Sequence, residues 1–136
     1  MRIRNYSDED FPKVEKLLKD SKIYWPNRDK REIIKSKINK YPESIILAEE
    51  DDHIIGVVFI VYDTWISFVL HLAVDSMHRK KGVGGILFQI AEQRLKAKGV
   101  HITAGFIDAQ NKEVLEYCKK RGWFISGNVY FINKNL

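Results

Sequence analysis

The sequence predicts one α/β domain: a mixed, mostly antiparallel sheet of about seven strands, with about four helices on both faces. Three observations predict it. The chain has 136 residues, the length of one domain, so residues 1–136 are read as a single unit. Apolar residues make up 45% and charged residues 30%, enough to bury a core without disulfides or a metal. The apolar patterning switches between the strand and helix periods in the order β-α-α-β-β-β-α-β-α-β-β, with antiparallel strands first and a strand–helix–strand unit after them.

Arg2–Asn5 reads as a short strand. Ser7 and Asp10 have capping-box spacing and open a helix to about Lys19, with Val14, Leu17 and Leu18 at helical intervals. Trp25-Pro26-Asn27 breaks the chain, and Asp29 is placed to cap a second helix through Ile33, Ile34 and Ile38. Ser44–Glu49, Ile54–Tyr62 and Trp65–Val74 are β-branched and aromatic runs separated by Asp51-Asp52-His53 and Asp63-Thr64, an antiparallel meander. A polar loop, Asp75–Lys81, leads into a helix from about Gly82 to Lys98 that Gly99 ends. His101–Ile107 reads as a strand and Asn111–Arg121 as a helix stopped by Gly122. Trp123–Ser126 and Val129–Asn133 read as a closing hairpin across Gly127-Asn128.

The net charge of +5 invites a polyanion partner, but the charges are blocked out along the chain. Residues 22–42 and 76–100 each carry net +5, whereas residues 43–75 carry seven acidic groups and no Lys or Arg. A general nucleic-acid binder does not hold 33 consecutive residues without a cation, and no groove-reading motif is present. No apolar run approaches the roughly 20 residues of a membrane helix, and the N-terminus has no secretory pattern. The single cysteine, Cys118, excludes an internal disulfide and a cysteine-rich zinc site, and suits a reducing, cytoplasmic compartment. His53, His71, His78 and His101 show no metal-ligand spacing.

Arg79-Lys80-Lys81-Gly82-Val83-Gly84-Gly85 lies between a strand and a helix. Glycines there let backbone approach a ligand, the helix start offers unpaired N–H groups, and three cations add charge, which together make a pyrophosphate cradle. A solvated basic turn is the plainer reading of the same residues. A Walker loop is excluded because no Lys follows the glycines. A dinucleotide fingerprint fails because Leu87 holds the third glycine position and seven residues separate Val74 from Gly82.

Leu72-Ala73-Val74, a four-residue gap, Arg79-x-x-Gly82-x-Gly84 and the following amphipathic helix resemble the acyl-coenzyme A signature of the GNAT N-acetyltransferases. Asn111, Val114, Tyr117, Cys118 and Gly122-Trp123 match that family's second conserved element in position, and the element order agrees across the whole chain. The resemblance implies that the backbone of Leu72, Ala73 and Val74 pairs with the pantetheine of acetyl-CoA, the co-substrate. It implies that the Val74 N–H holds the thioester oxyanion. It implies further that Arg79, Lys80, Lys81, Gly82, Val83 and Gly84 bind the pyrophosphate, and that Asn111 contacts the pantetheine or caps its helix.

The implied reaction is acetyl transfer to a primary amine by direct attack in a ternary complex. Where the family carries a Tyr acid this chain has Cys118, so Cys118 is either a proton donor near the acyl sulfur or a small buried residue. His71, with the ordinary imidazole pKa near 6.5, is the first candidate base, and Asp63, Glu49 and Glu50 are others. Tyr24, Trp25 and Arg28 fall where the family covers its acceptor, a small-molecule, peptide or protein amine, although a solvated amphipathic helix over the sheet is the plainer reading of this basic segment; the acidic block at 43–75 is compatible with a cationic acceptor. The family is often dimeric. The alternatives are a non-catalytic acyl-CoA-binding module of the same fold and, behind it, a basic nucleic-acid-binding domain.

Overall fold

The computed structural model describes all 136 residues. A five-stranded sheet runs in sequence order, β1 (Arg2–Asn5), β2 (Ile45–Glu50), β3 (His53–Val61), β4 (Ser67–Val74) and β5 (Thr103–Gly105). The first four strands pair antiparallel and β4–β5 pairs parallel. The helices are α1 (Phe11–Asp20), α2 (Arg31–Lys40), α3 (Val83–Ala97) and α4 (Lys112–Lys120).

Alternation along the central strands divides the core in two. One face gathers Ile45, Leu47, Val57, Phe59 and Ala73 under Val14, Leu17 and Leu18 of α1 and Ile34 of α2. The other gathers Ile46, Ala48, Val58, Ile60 and Val69 under Leu87, Phe88, Ala91 and Leu95 of α3, with Cys118 of α4. The helices therefore lie on both faces, α1 and α2 opposite α3 and α4.

The sheet has five strands rather than about seven. The expected hairpin, Trp123–Ser126 with Val129–Asn133, forms no ladder. The physical reason is the strand it would extend. β5 is three residues long, less than half the length expected over His101–Ile107, and a two-stranded ribbon is marginal without a sheet or helix to cover it. The C-terminal segment is held by side chains instead, and most of its large apolar residues are exposed.

Two irregularities shape β4. Val57 pairs with Ala73 but Phe59 pairs with Leu70, so His71 and Leu72 oppose Val58 alone, a bulge in β4. His71 sits in it at φ +53°, in the left-handed region. Beyond Val69, β4 has no strand partner on its β5 side, because that pairing covers only Ser67–Val69. The edge from Leu70 to Val74 is open.

Candidate active site

The open edge of β4 leads to the start of α3. Gly82, the residue before the helix, adopts φ +84°, a conformation only glycine takes without strain. The first backward bond of the helix is Ile86 N–H to the Gly82 carbonyl at 3.1 Å, so the N–H groups of Val83, Gly84 and Gly85 precede the ladder and carry the positive end of its dipole. Arg79 Nε donates to the Val74 carbonyl at 3.1 Å and fastens this loop to the strand end. Lys80 and Lys81 are exposed beside it. Gly85 is required for a second reason: a Cβ there would stand 2.8 Å from Cε2 of Tyr117, whose hydroxyl donates to the Gly85 carbonyl at 2.9 Å. Thus the open strand edge, the α3 N-terminus and α4 meet.

Of the sequence-predicted cofactor residues, Leu72–Val74 and Arg79–Gly84 meet at this junction, whereas Asn111 is engaged only with its own helix and Cys118 lies in the core. Leu72 and Val74 pack against the α3 face, Ala73 against the α1–α2 face, and Gly84 stands next to Val74 and Leu72. Asn111 Oδ1 accepts from the Val114 N–H at 3.3 Å, so it caps α4. Cys118 is 2% exposed within the α3-side core, where burial pushes its thiol pKa up, with Glu92 nearby adding to the shift. The Tyr117 ring packs edge-on against Phe88, and burial raises its hydroxyl pKa as well.

The opposite face of β4 carries a different group. His71 Nε2 lies 2.9 Å from both oxygens of Asp29, which is 2% exposed in the α1–α2 loop. Asp29 does not cap α2, as its position suggested: Lys30 holds the N-cap site, and the Asp29 carboxylate accepts from the Trp25 N–H at 2.7 Å. Arg28 Nη2 is 3.4 Å from His71 Nε2, and its guanidinium lies 4.4 Å over the Trp25 ring. Trp25 contacts Phe131 (5.5 Å between centroids), Phe131 contacts Phe106 (4.8 Å) and Phe106 stacks on Phe68 (6.0 Å). This chain of side chains leaves β4 at Phe68 and returns to it at His71. Asp29, Phe68, Phe106 and Phe131 carry no motif; the only local signal was a loop dense in Trp, Arg and Asp.

The other candidate bases lie elsewhere. Glu49 is held by Arg4 (2.8 Å), Asp63 Oδ1 accepts from the Trp65 N–H (2.8 Å), and Glu50 stands 3.4 Å from His78. Within the acidic block, Glu43 pairs with Lys98 and Asp75 with His78 (2.7 Å), so these carboxylates are engaged in ion pairs of their own. Tyr24 is turned to Glu15 (3.1 Å). No group of His, Cys, Asp and Glu is placed to hold a metal ion, and no helix is long and apolar enough to cross a membrane.

Comparison with known proteins gives the family and the fold. Residues 3–123 match the family described as "Acetyltransferase (GNAT) family". The chain is 24% identical to the acetyltransferase SG1711 of Sodalis glossinidius over 136 residues, covering all of this chain and 96% of that one. Its fold superposes on Ard1 from Thermoplasma volcanium with a TM-score of 0.79 at 21% identity, covering 93% of this chain and 84% of the other. It superposes on PaiA N-acetyltransferase from Thermoplasma acidophilum, in complex with coenzyme A, with a TM-score of 0.78 at 18% identity, covering 94% and 92%.

Proposed function

This chain belongs to the GNAT family of acetyltransferases, and from that membership we propose that it acetylates a primary amine by direct attack within a ternary complex. It is an acyltransferase whose co-substrate, acetyl-CoA, supplies the activated acetyl thioester. One observation carries the detailed reading: the open edge of β4 from Leu70 to Val74 runs directly to the unpaired amides at the start of α3. An extended amide-bearing arm pairs with such an edge, and a pyrophosphate suits the amides and cations at its end.

In this reading Leu72, Ala73 and Val74 bind the pantetheine through backbone, and the Val74 N–H stabilises the oxyanion. Backbone from Arg79 to Gly84, with Lys80 and Lys81, holds the phosphates. Arg79 contributes by anchoring the loop, since its Nε is engaged with Val74. Asn111 orders the α4 start. Cys118 packs the core behind the site and is not essential. His71 takes the proton from the incoming ammonium, which enters from the α1–α2 face along Trp25 and Arg28. A reducing, cytoplasmic location suits the lone buried thiol.

The burial of Cys118, where the family carries its Tyr acid, favours a second reading, an acyl-CoA-binding module without turnover. Thermal shift with acetyl-CoA, NAD and a short DNA duplex, followed by free-thiol release against spermidine, tyramine, kanamycin and a peptide with a free N-terminus, separates the readings. We expect stabilisation by acetyl-CoA and thiol release with at least one amine. Stabilisation by NAD or DNA alone overturns both readings, and stabilisation by acetyl-CoA with no thiol release leaves the binding module.

A further inference from the structure

We propose that Asp29 is a positioning residue for His71: from the α1–α2 loop it fixes the imidazole tautomer and orientation that make Nδ1 the proton acceptor. The inference rests on the base role assigned to His71 above.

Three observations carry it. The first is the hydrogen-bond geometry. Nε2 is 2.9 Å from each Asp29 oxygen and 3.4 Å from Arg28 Nη2. One ring nitrogen cannot donate to the carboxylate and accept from the guanidinium at once. Two close acceptors outweigh one distant donor, so in the neutral ring Nε2 carries the hydrogen and the lone pair is on Nδ1, which has no bond to any protein group.

The second observation is burial. A carboxylate 2% exposed is expensive unless it is fully partnered, and a link between a loop and a sheet is made more cheaply by apolar groups. Asp29 has a complete set of partners: the Trp25 N–H, His71 Nε2 and, at 3.7 Å, Arg28 Nε. The third is backbone strain. His71 occupies the left-handed region at the bulge, a conformation uncommon for a side-chain-bearing residue, which persists where the surroundings over-determine it. The Asp29 bond and the Phe59 ring, 5.0 Å from the imidazole, supply that restraint.

The proton step balances. One N–H bond of the acceptor ammonium breaks as the Nδ1–H bond forms, and Asp29 remains a carboxylate facing the imidazolium. The freed lone pair forms the N–C bond, and the C–S bond breaks with its electron pair on sulfur. The proton that nitrogen sheds on becoming an amide accounts for the thiol hydrogen. His71 then releases its own proton to solvent.

The test compares the native chain with Asp29→Asn, using 15N NMR of the imidazoles and steady-state kinetics with acetyl-CoA and the fastest amine of the panel. An Asn amide that turns its NH2 group toward Nε2 selects the other tautomer. We expect the His71 spectrum to change from Nε2–H to Nδ1–H. We expect kcat to fall 100-fold or more, with the KM for acetyl-CoA within about threefold and the protein still folded. A merely structural Asp29 would change melting but not the kcat-to-KM split. Native His71 carrying its hydrogen on Nδ1, or a kcat within threefold of native in Asp29→Asn, overturns the proposal. Should native protein release no thiol at all, the transferase reading fails by itself, and the tautomer measurement still decides the pairing. If Asp29→Asn does not fold, Asp29→Glu serves: a displaced carboxylate lowers kcat under the proposal, and an unchanged kcat overturns it.

Discussion

Cys118 and Lys37 show how far a residue's surroundings redirect its chemistry. By the resemblance Cys118 takes the position of the family's hydroxyl acid, yet it lies in the core with its thiol pKa raised. Cys118→Ala is therefore expected to cost about 1 kcal/mol of stability through the small cavity it leaves, with kcat within threefold of native; a 100-fold loss with folding intact would put the thiol back among the reacting groups. Lys37 on α2 donates from Nζ to the Ile60 carbonyl at 2.5 Å, and burial lowers its pKa to about 8 from the ordinary 10.5. The folded chain then binds fewer protons than the unfolded one between pH 8 and 10.5, so this lysine's contribution to stability improves as pH rises through that window. Lys37→Met lacks that dependence. Its stability relative to native, from urea unfolding, is expected to decline by on the order of 2 kcal/mol between pH 7 and pH 10.5. At this scale the sequence named Cys118 and His71 but not their environments, and it did not single out Lys37. His71 was legible because it borders Leu72-Ala73-Val74. Asp29 was misread as a cap because its real partner lies 42 positions away, and a loop aspartate before a helix has a ready local explanation.

Elements were the most legible level, because period and punctuation are local. α1, α2, α3 and α4 begin and end within a few residues of their expected positions, and Gly99 and Gly122 adopt the positive φ that a helix stop needs. The strands β2, β3 and β4 follow the meander. The failures came where pairing is not local: β5 is shorter than its apolar run, and the closing hairpin has no ladder. The bulge in β4 was invisible, since nothing in Leu70-His71-Leu72 announces a left-handed residue. The α3 start, by contrast, was read from its glycines and cations. Lys80 and Lys81 are exposed at that start, so replacing both with Ala should weaken acetyl-CoA binding about tenfold and flatten its dependence on ionic strength, by calorimetry at two salt concentrations. An unchanged salt slope would assign the phosphate attraction to the backbone amides alone.

Across the whole molecule, the face proposed to receive the acceptor is assembled from parts far apart in the chain: Phe68 on β4, Phe106 after β5, Phe131 in the C-terminal segment, and Trp25 with Arg28 between α1 and α2. No sequence window spans them, which explains why the sequence pointed toward the proposed acceptor side only through Tyr24, Trp25 and Arg28 and the acidic block at 43–75. Phe106→Ala removes the middle of this row without touching β4. The expected outcome is a severalfold higher KM for the amine with the affinity for acetyl-CoA unchanged. Equal KM values would mean that the row serves only to hold the C-terminal segment. The open edge of β4 has one more consequence. A largely apolar strand with unpaired backbone on one side, even one bent by a bulge at His71, is a template for another strand, including that of a neighbouring copy. In the proposed function coenzyme A fills that edge, so the ligand is also a plug against self-association. Colloidal stability would then follow the supply of the co-substrate, and the chain would be most prone to precipitate in a preparation stripped of it.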